Sequence, residues 1–397
     1  MEGNISLVLT LSAIIAFSPF LAKILRIPTT PVEIVLGSTL AFGGFLHNHE
    51  LFELVAEFGF LYLMFIAGTE INIKKIIKID KGLLRSALIY LSLLYIFSFI
   101  STFYLGLSNV FIVILPLISV GLIATLKKEY GKKTSWLPLA MIVGSVGEIV
   151  SIAILTVASE AFDTGFSYEL LKGIFTLTFF LAIITLLFYA LKVMFWWYPE
   201  IAPLLMPHAD NKDQDFRLSM AILFSFLGLM MYLNLELAFG AFIAGMFIPT
   251  FFEHKYELPK KLESYGFGFL VPIFFVHVGT SFNLSALQVD GLVETALLVT
   301  ALMIGIRLLA ATVFIKATSL KDSVLLGLSH SMPLTLLIAI ATLAYHQHTI
   351  DKFHYYAFIL ASLFEVIIVM LAIKLIVYPP KALIKKIKRG KLRGRAN

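Results

Sequence analysis

Along this chain, apolar residues run in blocks of about twenty, parted by short polar or charged stretches. A helix that crosses a bilayer needs roughly 20 mostly apolar residues. Blocks of that size fall at residues 4–25, 31–46, 51–69, 83–105, 109–127, 136–159, 169–195, 216–233, 235–251, 264–282, 291–316, 320–345 and 352–378. The second, eighth and ninth are short. The pattern predicts an all-α polytopic membrane protein with about 13 transmembrane helices. Residues 1–378 read as a single transmembrane domain and 379–397 as a basic cytoplasmic tail.

Composition supports this and narrows it. Of 397 residues, 59% are hydrophobic and only 14% charged, and the mean hydropathy is +0.93. A soluble domain of this length carries far more surface charge. There is no cysteine, which excludes disulfides and thiol-based metal or redox chemistry. The first apolar block has no basic leader and no small-residue cleavage site, so it reads as a retained helix.

An odd number of crossings puts the termini on opposite faces. With the C-terminus in the cytoplasm, all 31 lysines and arginines except Lys172, Lys352 and Arg307 fall on the cytoplasmic side. That is the bias of the positive-inside rule, with the N-terminus outside and the chain in a bacterial-type inner membrane. The net charge of +6 therefore reports orientation, not nucleic-acid binding. The tail from Lys381 to Arg395 offers contact with anionic lipid headgroups.

The chain also repeats itself. Pro116-Leu117 followed by Ala124-Thr125-Leu126 recurs as Pro333-Leu334 followed by Ala341-Thr342-Leu343. At the same offset, Ser145-Val146-Gly147-Glu148-Ile149 faces Ser362-Leu363-Phe364-Glu365-Val366. Gly68-Thr69 with Asn72 matches Gly279-Thr280 with Asn283, and Glu33 with Gly37 matches Glu236 with Gly240. Predicted helices 2–6 then pair with 9–13. The displacement is odd, so the two copies have inverted topology, as in secondary transporters whose sites lie near the midplane at interrupted helices. Predicted helices 5 and 12 carry Pro116 and Pro333, which disrupt the backbone ladder by a break or a kink. Ser119, Thr125, Ser329, Ser331 and Thr335 stand ready to satisfy the freed groups.

Few ionisable residues lie at depth. Glu148 is in the middle of its helix, where a charge costs about 2.5–3.5 kcal/mol. A carboxyl there can take a proton or bind a cation, which is the competition an exchanger needs; the bland alternative is a structural acid paired to a base. Ser145 and Ser151, three residues to either side, share its face and offer oxygens to a hard cation. Arg307 is the one basic residue at midspan, and it must find an acid or carbonyls. Its expected role is structural. Glu365 either pairs with Arg307, the favoured reading, or is a second ion or proton group. His277 and His330 titrate near neutrality when unperturbed, though a lone membrane histidine more often packs. Glu33, Glu53, Glu57, Glu70 and Glu236 lie near helix ends and read as solvated or capping. No resident metal site, cofactor motif or catalytic motif is present, so an enzyme is not expected.

Four stretches then resemble the monovalent cation:proton antiporter superfamily, in particular its second branch. They are Arg26-Ile27-Pro28 with Gly37, Phe65-Ile66-Ala67-Gly68-Thr69-Glu70, Phe239-Gly240-Ala241-Phe242-Ile243-Ala244-Gly245, and Pro272-Ile273-Phe274-Phe275 with Gly279. The resemblance implies dimerisation and core subdomains interleaved in sequence, crossed broken helices 5 and 12, a homodimer and elevator-like alternating access. It puts Glu148 at the family's essential carboxylate and Arg307 at a common basic position. It also departs from the family. Gly147 stands where a second acid or an asparagine is usual, and Met332-Pro333 replaces a glycine-glutamate pair. A lone carboxylate suggests electroneutral exchange of sodium, or next potassium, for protons. The departures leave open a symporter or exchanger of another solute, and, in another class, a non-transporting membrane sensor.

Overall fold

The computed structural model describes all residues except 1, 26, 47–48, 75–79, 124–125, 127–133, 165–167, 202–203, 205, 207–212, 236, 256, 283 and 379–397, together with the side chains of 2–4, 155–156, 158–164 and 168–170. Thr125 and the tail from Lys381 to Arg395 thus lie outside the described residues. The described residues form helices and no strand.

The helices are α1 (Glu2–Leu25), α2 (Thr29–Phe42), α3 (Glu50–Thr69), α4 (Lys81–Leu105), α5 (Val110–Ile114), α6 (Trp136–Thr164), α7 (Tyr168–Trp197) and α8 (Gln214–Leu233). They continue with α9 (Leu237–Phe251), α10 (Leu258–Tyr265), α11 (Val271–Ser281), α12 (Leu292–Ala310), α13 (Leu320–His330), α14 (Leu334–His346) and α15 (Lys352–Val377). A π turn at Gly266–Leu270 joins α10 to α11 into one apolar segment. Among the described residues, 10 helical segments are long and apolar enough to cross a membrane, and Leu237–Phe251 is a shorter apolar helix. α2 begins after Pro28 and stops at Phe42, ahead of the predicted end at residue 46, because Gly43 caps it and Gly44 turns to φ +76.

The chain divides into two compact units interleaved in sequence. The first comprises Met1–Asp80, Glu148–Leu292 and Ile338–Tyr356; the second comprises Lys81–Gly147, Val293–Leu337 and Ala357–Asn397.

The first unit is built on glycine contacts. A Cβ on Gly37 of α2 would meet the Val276 carbonyl of α11, and one on Gly279 would meet the Ile34 carbonyl of α2. In the same way a Cβ on Gly68 of α3 would strike the Phe242 carbonyl of α9, and one on Gly245 the Phe65 carbonyl of α3. Between membrane helices there is no hydrophobic driving force, so close backbone approach at small residues carries the association. Side chains lock the same pairs. Ser38 Oγ donates to the Phe282 carbonyl at 2.7 Å, and Asn72 Nδ2 to that of Pro249 at 2.8 Å. Ile14, Phe52, Ala56, Ile273 and Val276 fill the space beside α2. On α7, Phe175, Leu186 and Trp196 point outward, which suits a lipid-facing helix.

Polar ends are anchored too. Asp215, at the start of α8, is held by Lys261 at 3.1 Å and Lys255 at 3.7 Å. Asp351 precedes α15 and accepts from the backbone N–H and ring Nδ1 of His354, at 2.8 and 2.6 Å. Burial alone would raise the Asp351 carboxyl, but these bonds prevail and hold it below its usual range.

Gly68→Ala and Gly245→Ala are each expected to force α3 and α9 apart and destabilise the protein by about 1–3 kcal/mol, the usual penalty of overpacking. Thermal unfolding in detergent reads this, with Gly228→Ala, which has open space around it, as the neutral control.

Candidate functional site

The second unit contains both helix interruptions. α5 ends at Ile114, the chain turns through Leu115-Pro116 and runs without helix from Leu117 to Ser119, and helix resumes at Gly121. α13 ends at His330, and α14 begins at Leu334 after Ser331, Met332 and Pro333. Each proline lacks the N–H that would continue the ladder. The two interruptions face each other: Ser119 Oγ lies 3.4 Å from Thr335 Oγ1.

Freed backbone groups at such breaks have no water and must find partners inside the protein. Ser98 Oγ of α4 is 3.1 Å from both the Phe111 and Ile112 carbonyls of α5. Ser329 and Ser331 donate to the Leu326 and Gly327 carbonyls of their own helix, at 2.7 and 2.9 Å. The largest contribution comes from Arg307 on α12, which is 0% exposed. Its Nη2 donates to the Leu117 carbonyl inside the α5 break, and its Nη1 to the Met303 carbonyl one turn back at 2.7 Å.

α6 passes close to the same break. A Cβ on Gly147 would come within 2.7 Å of the Ile118 side chain, and one on Gly144 within 3.2 Å of Ile123. A side chain at Gly147 would have to displace the tip of Ile118, which occupies the space where a second acid before Glu148 would begin. Glu148 itself is 2% exposed, and Ser151 is 1% exposed. Ser145 is half-buried, and its hydroxyl is directed to the Met141 carbonyl at 2.9 Å.

Two expectations need correction. The favoured pairing of Glu365 with Arg307 is not made as a hydrogen bond, although the two charges act on each other. Both oxygens of Glu365 and Nε of Arg307 are buried without a hydrogen-bond partner, and the guanidinium is committed to carbonyls. The broken helix supplies acceptors that a continuous one would not, and they win. Glu33 is not solvated either. It is 4% exposed inside α2 and takes a hydrogen bond from Ser18 Oγ of α1 at 3.3 Å. Its position one turn into a helix hid this, because a neighbouring helix rather than its own sequence covers it.

The histidines separate. His330 is 0% exposed and bonded at both nitrogens. Nε2 lies 2.9 Å from the Ala140 carbonyl and Nδ1 3.0 Å from the Tyr90 hydroxyl. A carbonyl only accepts, so Nε2 carries the hydrogen; in the neutral ring Nδ1 then accepts from Tyr90. This is a structural clamp joining α4, α6 and α13. His277 lies elsewhere, in the first unit, where it packs edge-on against Phe52 with ring centres 5.2 Å apart. It lines a cavity of about 880 Å³ together with Ser38, Glu53, His346, Tyr355 and Tyr356. Among the described residues no three His, Asp or Glu side chains converge as metal ligands.

The chain is similar to known proteins. The family model for the transmembrane sodium/hydrogen exchanger matches residues 9–378. The chain is 24% identical over 355 residues to the putative Na(+)/H(+) antiporter YjbQ of Bacillus subtilis, covering 82% of this chain and 55% of that one. It is 25% identical over 256 residues to the Na(+)/H(+)-K(+) antiporter GerN of Bacillus cereus, covering 62% of each. The chain thus spans little more than half the length of the first of these relatives. Its fold is similar to that of the sodium proton antiporter MjNhaP1 from Methanocaldococcus jannaschii, with a TM-score of 0.66 at 17% identity, over 95% of this chain and 99% of the other.

Tyr90→Phe removes one bond of the clamp and His330→Ala removes both. Each is expected to destabilise, by about 1 kcal/mol and by about 2–3 kcal/mol respectively. Thermal unfolding in detergent checks this; unchanged midpoints would mean that the ring holds nothing together.

Proposed function

The chain belongs to the transmembrane sodium/hydrogen exchanger family, and on that premise we propose that it is a secondary transporter exchanging a monovalent cation for protons at Glu148. The observation that carries this reading is the carboxylate itself. Glu148 is 2% exposed and mid-helix in α6, immediately after the glycine face that packs on the α5 break. A carboxylate at such depth is costly as a bare anion and acceptable as a neutral acid or as the ligand of a cation. One group therefore alternates between two competing ligands. Neither can be exchanged for nothing, and this obligation couples the fluxes.

The hydroxyls of Ser145 and Ser151 on the same helix, with those of Ser119 and Thr335 at the interruptions, are proposed to supply oxygens to a partly dehydrated cation, and Thr125, outside the described residues, is proposed as a further ligand. Carbonyl ends of interrupted helices add partial negative charge. Arg307 offsets part of it at Leu117, which leaves the site favourable for a cation without trapping it. Sodium is the proposed ion, since the relatives' names include Na(+)/H(+) exchange; potassium comes next, since one name adds it.

The single acid makes one-for-one, electroneutral exchange the simplest cycle. The proton taken up by the carboxylate on one side leaves as the cation binds on the other. Alternating access by elevator-like motion is supported by the division into two units interleaved in sequence. A homodimer with its N-terminus outside and its C-terminus in the cytoplasm completes the proposal, the orientation resting on the distribution of lysine and arginine.

In reconstituted vesicles, sodium added outside is expected to drive proton efflux, and Glu148→Gln and Glu148→Ala to abolish it. Normal flux in both variants would remove Glu148 from the site. The apparent KM for sodium is expected to rise as the pH falls, because the proton competes for the same oxygens. Clamping the voltage with a potassium ionophore is expected to leave the rate unchanged, and a potassium and lithium series ranks the ions. No response to any of the three would favour a different solute.

A further inference from the structure

The second unit buries a carboxyl of its own. Glu365 sits midway along α15 and is 0% exposed, and neither of its oxygens has a hydrogen-bond partner among the described residues. An ionised carboxylate so placed would lose its water and gain no donor, a penalty of several kcal/mol. The adjacent cation does not relieve it, because Arg307 gives its Nη hydrogens to the Met303 and Leu117 carbonyls while its Nε hydrogen is unused.

Helix geometry brings these unused groups to one level. Thr300 Oγ1 donates to the Ala361 carbonyl at 3.3 Å, so α12 and α15 touch there. One crossing segment separates the two helices in sequence, so they run in the same direction. Arg307 follows Thr300 by about two turns on the same face, and Glu365 follows Ala361 by about one. The arginine side chain then folds back by a turn, as its bond to Met303 requires. Guanidinium and carboxyl thus stand across the α12–α15 contact, close enough for their charges to act on each other. The other titratable groups around the guanidinium are Tyr90 and Tyr95 on α4 and His330 on α13.

We propose that Glu365 is a proton-binding site separate from Glu148, a neutral acid while Arg307 holds the Leu117 carbonyl and an anion when Arg307 turns its Nε hydrogen toward it. Only the O–H bond forms or breaks, and its proton comes from water and returns to water. Deprotonation gives the guanidinium a charged acceptor, which binds it more strongly than a carbonyl does. The hold on Leu117 then weakens and its carbonyl becomes available beside Ser119 in the α5 break. Glu365 thereby acts as a positioning residue through Arg307 and makes the break responsive to pH. The proton site stands independently of the exchange reading; its effect on flux rests on that reading.

Infrared spectroscopy of the full chain in lipid vesicles tests the site without transport. At neutral pH a carboxylic-acid C=O band is expected that is absent in Glu365→Gln and retained in Glu148→Gln, and that fades on alkalinisation. If Glu365→Gln removes no acid band, the proposal is overturned whatever Glu148 does. Flux tests the consequence. Glu365→Gln fixes the neutral form, so at alkaline pH it is expected to behave as the native protein does at acidic pH, with the pH of half-maximal flux displaced by at least about one unit. A folded Glu365→Gln protein with the native pH profile would overturn the link to Leu117.

Discussion

A helix that stops inside a bilayer must give its freed carbonyls to something other than water. In this chain that requirement falls on Arg307. Its guanidinium is buried, bonded to the Leu117 carbonyl inside the α5 break, and tied back to its own helix at Met303. An unpaired carbonyl in hydrocarbon costs several kcal/mol, and an unpaired arginine costs more. Each is the other's remedy. The break can exist because the arginine is there, and the arginine can be buried because the break supplies acceptors. What is placed at the break follows from this mutual dependence: the 3.4 Å approach of Ser119 to Thr335 and the glycine face of α6.

The first unit solves a different problem. Its helices approach at Gly37 with Gly279 and at Gly68 with Gly245, so that carbonyl oxygens of one helix lie where a side chain of the next would be. Such contacts are short, numerous and insensitive to charge. The second unit contains directional polar bonds, among them the His330 clamp and the Ser98 contact with two carbonyls.

Three buried glutamates show how little residue type alone decides. Glu33 is covered by α1 and receives one hydroxyl. Glu365 has no donor at all, although an arginine is near. Glu148 follows a glycine whose missing side chain makes room for Ile118. The same carboxyl serves as a satisfied structural acid, a proposed proton site and a proposed exchange site. What differs is the set of neighbours contributed by other helices.

Much of the architecture was therefore legible in the chain itself. Apolar blocks set where helices lie, because a helix bonds its own backbone groups where no water can. Pro116 and Pro333 located both interruptions, because a missing N–H acts on its own turn. The glycines of the quoted motifs carried the resemblance, but that Gly37, Gly68, Gly245 and Gly279 are points of close helix contact came from the structure. Boundaries were less legible where a turn conformation decided them, as at Gly44. The partners of buried charges were not legible at all. Arg307 and Leu117 are 190 residues apart, and His330 and Tyr90 are 240 apart. Sequence determines whatever depends on a residue's own side chain and its neighbours along the helix: hydropathy, breaks and the need of a buried charge for a partner. Tertiary structure alone decided which group answers that need, because competing acceptors can be compared only once distant segments stand side by side.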